Sequence, residues 1–205
     1  WVSLPSMPST KRTQKSNVFA LLKRRHVAFA MVAVMLSFAG AFSTFTYLRP
    51  FLEIRAGVDA AQLSLLLLAL GMAGFIGTYG ASRLLGRHLY RLLAGLPLAL
   101  AIATLALLIF GYQLWPAAFV LIGWGALNAA IPVAWSTWLS QGISDNPEAG
   151  GGLMVAAIQL AIMAGAAFGG LLLDHVSLTS TWIGGAGLLL LATLVVGRGQ
   201  RLKIA

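Results

Sequence analysis

Between Arg91 and Asp145 the chain carries no charged residue at all, and no other feature narrows its possible folds so far. A water-soluble domain spreads charge over every exposed face. Here only 9% of residues are charged and 59% are hydrophobic, and the charges elsewhere fall at the borders of long apolar runs. Hydrocarbon offers no water to an ionised side chain, so charges leave membrane spans and collect in the loops. Backbone groups in lipid must bond within their own segment, which leaves helices and closed barrels. Barrel strands alternate polar and apolar residues at period two, and these continuous apolar runs do not. The pattern is that of an all-α, polytopic membrane protein.

Six runs are long enough, or nearly so, to cross a hydrocarbon core of about 30 Å at 1.5 Å per residue. They cover residues 27–48, 63–81, 92–110, 115–139, 152–173 and 181–196. The expected organisation is a linker at 1–26, a six-helix transmembrane bundle over 27–196 and a tail at 197–205. The linker is rich in Pro, Ser, Thr and Lys from 5 to 17, and residues 17–26 fit either a short interfacial helix or a solvated basic tail.

The net charge of +9 does not point to nucleic acid, because of where the bases sit. Lys11, Arg12, Lys15, Lys23, Arg24 and Arg25 form one cluster, Arg83, Arg87 and Arg91 a second, and Arg198, Arg201 and Lys203 a third. With six spans all three clusters share a side, while the other side has only Arg49 and Arg55, offset by Glu53 and Asp59. By the positive-inside rule the clusters and both ends of the segment lie in the cytoplasm. One loop dissents, since residues 141–150 belong to that side yet hold Asp145 and Glu148 and no base. The absence of cysteine excludes disulfides, thiolate metal sites and a thiol nucleophile. The first residue is Trp1, and residues 1–26 are too long and polar for a signal peptide; the expectation is a segment that begins inside a longer protein.

The runs differ in kind. The third has Thr104 as its single polar side chain and the sixth little beyond Thr181 and Thr193, so both are expected to face lipid. The others carry stripes of small or polar residues at helical spacing. These are Ser37, Gly40, Thr44 and Tyr47 on the first, Ser64, Gly71, Gly74 and Thr78 on the second, Trp124, Asn128, Pro132 and Trp135 on the fourth, and Gln159, Met163, Ala166 and Gly170 on the fifth. The order polar, polar, lipid-facing occurs twice, a three-plus-three pattern.

Several motifs carry a resemblance. Ser37-Phe38-Ala39-Gly40-Ala41-Phe42 with Thr46-Tyr47-Leu48-Arg49-Pro50-Phe51-Leu52, Pro132-Val133-Ala134-Trp135-Ser136-Thr137-Trp138, and Gly165-Ala166-Ala167-Phe168-Gly169-Gly170 with Asp174 resemble the seventh, tenth and eleventh helices of major facilitator transporters of the drug:proton antiporter subfamily. The resemblance implies the carboxy-terminal six-helix half of a twelve-helix fold, with a three-plus-three inverted repeat and an amino-terminal half as partner. It implies a multi-pass protein of the bacterial inner membrane, no enzyme and without a cofactor. Its expected work is efflux of small polar solutes, purine ribonucleosides or analogues first, with sugar or multidrug efflux as the alternative. A proton is the implied coupling ion. No Asp, Glu or His lies at mid-span, so its carrier is expected in the other half.

Within that resemblance the substrate-facing candidates are Thr44, Tyr47, Trp124, Asn128, Trp135 and Gln159. A base stacks on an indole at about 1–3 kcal/mol, and an amide reads its ring edge by paired hydrogen bonds. The same tryptophans equally fit plain packing, and Trp115 and Trp138 fit interface anchors. An amide at mid-span needs a partner or a wet cavity, which singles out Asn128. Gly71, Gly74, Gly165, Gly169 and Gly170 let helices pack closely or pivot. Arg83, Gly86 and Arg87 form a degenerate copy of the family's cytoplasmic loop motif, with Tyr79 where its leading glycine is usual; contact with anionic lipid is the other reading.

Overall fold

The computed structural model describes residues 18–197 together with Gly199 and Leu202. The expected linker at 5–17 and the bases Lys11, Arg12, Lys15, Arg198, Arg201 and Lys203 lie outside the described residues. Seven helices follow in order: α1 Val18–Leu21, α2 Arg25–Phe45, α3 Leu48–Arg55, α4 Ala60–Phe110, α5 Leu114–Gly142, α6 Pro147–His175 and α7 Leu178–Val196. Among the described residues there is no strand. Five of these helices are long and apolar enough to cross a membrane.

The difference between five helices and six expected crossings lies in α4. The loop expected at 82–91 is helical, because Arg83, Leu84, Leu85 and Arg87 are good helix formers and no proline interrupts them. Only His88 leaves helical geometry, at φ −134 and ψ 27. A side chain at Gly77 would strike the Ala126 carbonyl, while Thr104 accepts a 3.0 Å bond from the Trp124 indole. Trp124 and Ala126 are neighbours on α5, so Gly77 and Thr104 stand at nearly one level. In a straight helix they would be about 40 Å apart. α4 therefore folds back at His88 into two arms, 60–87 and 89–110, each long enough to cross the hydrocarbon. The six crossings return.

A long-range ion pair agrees with that count. Arg24, just before α2, grips the Asp145 carboxylate with two bonds of 2.8 and 2.6 Å. The two residues can meet only if an even number of crossings separates them, as α2, both arms of α4 and α5 provide. The acidic loop that lacked a base of its own finds one here.

Local chemistry sets the ends. The first expected span stops early, at Phe45, because Pro50 has no N–H for the Thr46 carbonyl and its ring would clash there. The backbone yields at Tyr47 (φ −106, ψ 16), and Pro50 sits in the first turn of α3. Asp59 and Gln62 form a reciprocal capping box on α4. Asn146 caps α6 ahead of Pro147, and Ser177 caps α7. Gly197, at φ +54, ends α7 and donates to the Thr193 carbonyl at 2.8 Å. Beyond it Leu202 is buried and its carbonyl accepts from the Trp138 indole at 3.2 Å. Trp138, expected as an interface anchor, is fully buried at that point, with its indole bonded to Leu202 beyond α7.

Packing is reciprocal. α2 packs on α6 and α7, and α5 packs on α4. Gly165 meets Ala39 and Gly169 meets Ser43, so α2 and α6 run parallel; Gly40 and Gly185 mark the crossing of α2 with α7. Gly125 meets Leu70 and Gly74 meets Ala129, so α5 and the first arm of α4 also run parallel. The second arm of α4 runs against α5 at Thr104 and reaches α7 at Ala94 and Thr193.

The helices expected to be wholly lipid-facing are only half so. On the second arm of α4, Leu93, Leu100, Thr104 and Leu107 are buried while Ile102, Ile109 and Phe110 are exposed. On α7, Trp182, Leu189 and Val196 are buried while Ile183, Leu191 and Leu194 are exposed. A third helix next to two neighbours must bury a face, and leucine serves either environment, so composition alone does not separate them.

On the side opposite Arg24, Arg55 gathers three connections. It sits at the end of α3, donates to the Tyr112 hydroxyl and the Thr179 hydroxyl, and lies 4.8 Å over the Tyr112 ring. Arg49 pairs with Glu53 at 2.8 Å on the exposed face of α3.

Candidate functional site

The stripe on α2 turns inward. Ser37 and Thr44 are fully buried, and each hydroxyl is satisfied by its own helix, Ser37 on the Ala33 carbonyl at 2.7 Å and Thr44 on the Ala41 carbonyl at 2.8 Å. Thr44, with Gly40 and Ser43, forms the seam against Gly185 of α7. Buried hydroxyls bonded one turn back leave no unmet polarity between helices.

Tyr47, at the break after α2, is half-buried and donates to the Ala166 carbonyl on α6 at 2.9 Å. Its ring would lie 2.8 Å from a Cβ added at Gly169 and its hydroxyl 2.6 Å from one added at Gly170. Gly165 is pressed on the Ala39 carbonyl, 2.3 Å from an added Cβ. The structure thus brings Tyr47, Gly165, Gly169 and Gly170 together in one α2–α6 contact. Gly71 is exposed with open space around it, and Gly74 has ordinary room but for Ala129. Gly77 and Gly125, absent from the sequence candidates, make the tightest α4–α5 contacts; spacing alone could not say which glycines meet a backbone.

On α5, Trp124 is 2% exposed, donates to Thr104 at 3.0 Å, and is stacked at 4° on Phe45 with centroids 5.9 Å apart. Trp135 is buried, edge-on to Trp138 at 6.1 Å. Asn128 is half-buried, and among the described residues no protein group bonds its carboxamide. One turn on, Pro132 and then Ser136 are exposed on the same stripe. Gln159 on α6 is exposed. Arg83, Gly86 and Arg87 are exposed on the helical stretch before His88, with Arg83 lying 4.6 Å over the Tyr79 ring.

Besides those glycines, two accessible side chains escaped the sequence reasoning. Phe45 is 38% exposed and lies over Trp124, so it is the aromatic ring that this part of the bundle presents. Its signal was the aromatic triplet spacing with Phe42, whose ring meets it edge-on at 5.8 Å. Ser136 lies four and eight residues after Pro132 and Asn128, so extending the stripe by one turn reaches it.

Charge and metal chemistry stay at the edges. Glu53, Asp59, Asp145, Glu148 and Asp174 are all exposed at helix ends or connections. Among the described residues no three His, Asp or Glu side chains gather as metal ligands. The Arg24 hydrogen bond holds the Asp145 carboxyl below its ordinary range, and the same bond raises Arg24.

No family model matches the chain. Curated proteins do. It is 44% identical over 204 residues to the purine ribonucleoside efflux pump NepI of Salmonella paratyphi B, an alignment covering 98% of this chain and 51% of that protein. The values are the same for the NepI proteins of Salmonella paratyphi C and Salmonella typhimurium. The chain is related to these pumps. It spans about half the length of the curated relatives it matches, so the likeness to the pumps concerns one all-α, multi-span portion of them.

Proposed function

We propose that the chain is the carboxy-terminal half of a major facilitator efflux transporter of the bacterial inner membrane, and that the whole protein exports purine ribonucleosides or analogues in exchange for protons. The observation that carries the reading is 44% identity along 98% of the chain to half of a purine ribonucleoside efflux pump. The reciprocal packing supports an inverted repeat: α2 lies parallel to the second helix and against the third of the other triplet, and α5 does the same in return. Alternating access is then a rocking of this half against an amino-terminal half around a central site.

In this reading the accessible groups do the recognising. Phe45 offers a stacking face backed by Trp124, and Asn128, Ser136 and Gln159 offer hydrogen bonds. Tyr47 shapes the wall through its hold on α6. Thr44 and Trp135 act from behind, by fixing the helices that carry these groups. Gly165, Gly169 and Gly170 keep α6 close to α2, while Gly74 packs the first arm of α4 on Ala129 of α5 and Gly71 lies toward the open face of that arm. Arg83 and Arg87 hold the His88 bend at the cytoplasmic headgroup level.

Inosine efflux from cells producing the intact protein tests this. Asn128→Ala and Phe45→Ala are expected to lower efflux about tenfold each at unchanged membrane abundance, in line with loss of a bidentate amide contact or one stacked base. Unchanged inosine efflux in both would remove these residues from the site. Absence of nucleoside export by the unaltered protein, with sugar or drug export in its place, would overturn the substrate. Efflux that persists after the proton gradient is collapsed would overturn the coupling.

A further inference from the structure

We propose that a groove between the second arm of α4 and α7 binds one anionic phospholipid, its phosphate on Arg91 and an acyl chain along Gly95 and Leu98. The groove encloses about 460 Å³ and is lined by Tyr90, Arg91, Gly95, Leu98, Thr193 and Gly197 among others. Arg91, Gly95, Leu98 and Gly197 are all exposed, and no residue of α5 lines the groove.

Its depth is set by the helix. From Arg91 to Leu98 the arm advances about 10 Å, from the level of the basic cluster into the apolar wall. Between them Gly95 has nothing within 4 Å of an added Cβ, which makes a notch rather than a packed face. Thr193 spends its hydroxyl on the Leu189 and Ala94 carbonyls at 3.1 and 3.4 Å. Among the described residues Arg91 is therefore the charged donor at the mouth, and no carboxylate among them pairs with it.

Charge names the occupant. Lys23, Arg25, Arg83, Arg87 and Arg91 share this side, where the carboxylates among the described residues are Asp145, already held by Arg24, and Glu148. Each such base near a membrane surface attracts anionic lipid by about 1 kcal/mol. A free phosphate would satisfy Arg91 but leave the Gly95–Leu98 stretch unused. A zwitterionic lipid would fill that stretch but bring its own cation to Arg91.

The test is native mass spectrometry of the purified intact protein in neutral detergent, titrated with dioleoylphosphatidylglycerol, dioleoylphosphatidylcholine or glycerol 3-phosphate. One phosphatidylglycerol is expected to remain bound where phosphatidylcholine is stripped. Arg91→Gln should weaken it about fivefold, the value of one charge near the surface, and Arg91→Lys should retain it. Gly95→Leu, which fills the notch without altering charge, should also lose it; if that protein fails to fold, Leu98→Gln at an exposed position should show the same loss. Equal retention of phosphatidylcholine overturns the proposal. So does wild-type binding by Arg91→Gln or by the groove variants, and so does displacement by glycerol 3-phosphate at equal concentration.

Discussion

Arg24 and Asp145 lie 121 residues apart in the chain and are joined by two hydrogen bonds of 2.8 and 2.6 Å. Both are exposed, so the pair adds little to stability. Its value is positional, because it ties the entry of α2 to the α5–α6 connection and places both on the basic side.

That placement is open to chemical test. The chain has no cysteine, so Arg24→Cys with Asp145→Cys introduces one thiol pair into a segment that has none of its own. A short bifunctional thiol reagent is expected to cross-link it in membranes, and reagents confined to one side should label both positions equally. Labelling from opposite sides would refute the six-crossing fold. For the native pair, the Asp145 carboxyl is held below its ordinary range, so the contact is complete above about pH 4. It is lost only as pH falls through the lowered value, and no change is expected between pH 6 and 8.

Glycines should divide sharply by what they touch. Gly165→Ala drives a methyl into the Ala39 carbonyl and is expected to cost about 1–3 kcal/mol through overpacking, read as a lower melting temperature in detergent. Gly71→Ala meets open space and is expected to leave that temperature unchanged or raise it, since alanine orders a helix more cheaply. Equal effects would contradict the α2–α6 contact.

Thr104 and Trp124 should behave as a unit. Thr104→Val strands the buried indole N–H, at about 1–3 kcal/mol. Trp124→Phe in the same background removes the stranded donor, so the double variant is expected to be less destabilised than the sum of the two single ones. Additive effects in a double-mutant cycle would mean the 3.0 Å bond contributes nothing.

Arg55 is expected to hold the opposite side together. Arg55→Ala releases Tyr112 and Thr179 and should speed hydrogen exchange around residues 111–113 and 176–180. Arg55→Lys should recover little of the protection, because an ammonium cannot fork between two hydroxyls and cover a ring as a guanidinium does. Unaltered exchange in Arg55→Ala would dismiss the clasp.

Much of the fold was legible in the chain, and the gaps have physical causes. Apolar runs and clustered bases reveal six crossings, since both follow from the cost of charge in hydrocarbon. The break at Tyr47 was displaced from its marker, because proline disturbs the carbonyl four residues before it. The bend at His88 falls within the loop that the basic cluster marks, but its residue has no marker of its own, as the surrounding residues favour helix. Stripes of small and polar side chains reveal that a face is special without saying why. Ser37 proved to be buried with its hydroxyl bonded within its own helix and Thr44 to be part of a seam with α7, whereas Asn128 was left accessible with its carboxamide unbonded. Trp124 and Phe45 look alike in sequence. Which ring is covered depends on the meeting of α2 and α5, a contact between distant segments that periodicity does not encode.

The exchange of partners between triplets also bears on how the protein is made. The two arms of α4 and then α5 can settle together as they leave the ribosome, each next to a segment already inserted. Among the described helices, α2 enters the bilayer ahead of α4 to α7 yet its partners, α6 and α7, follow last. For most of synthesis it must stand in lipid with Ser37, Ser43 and Thr44 shielded only by their own backbone carbonyls. Those bonds one turn back are what allow α2 to wait for its partners.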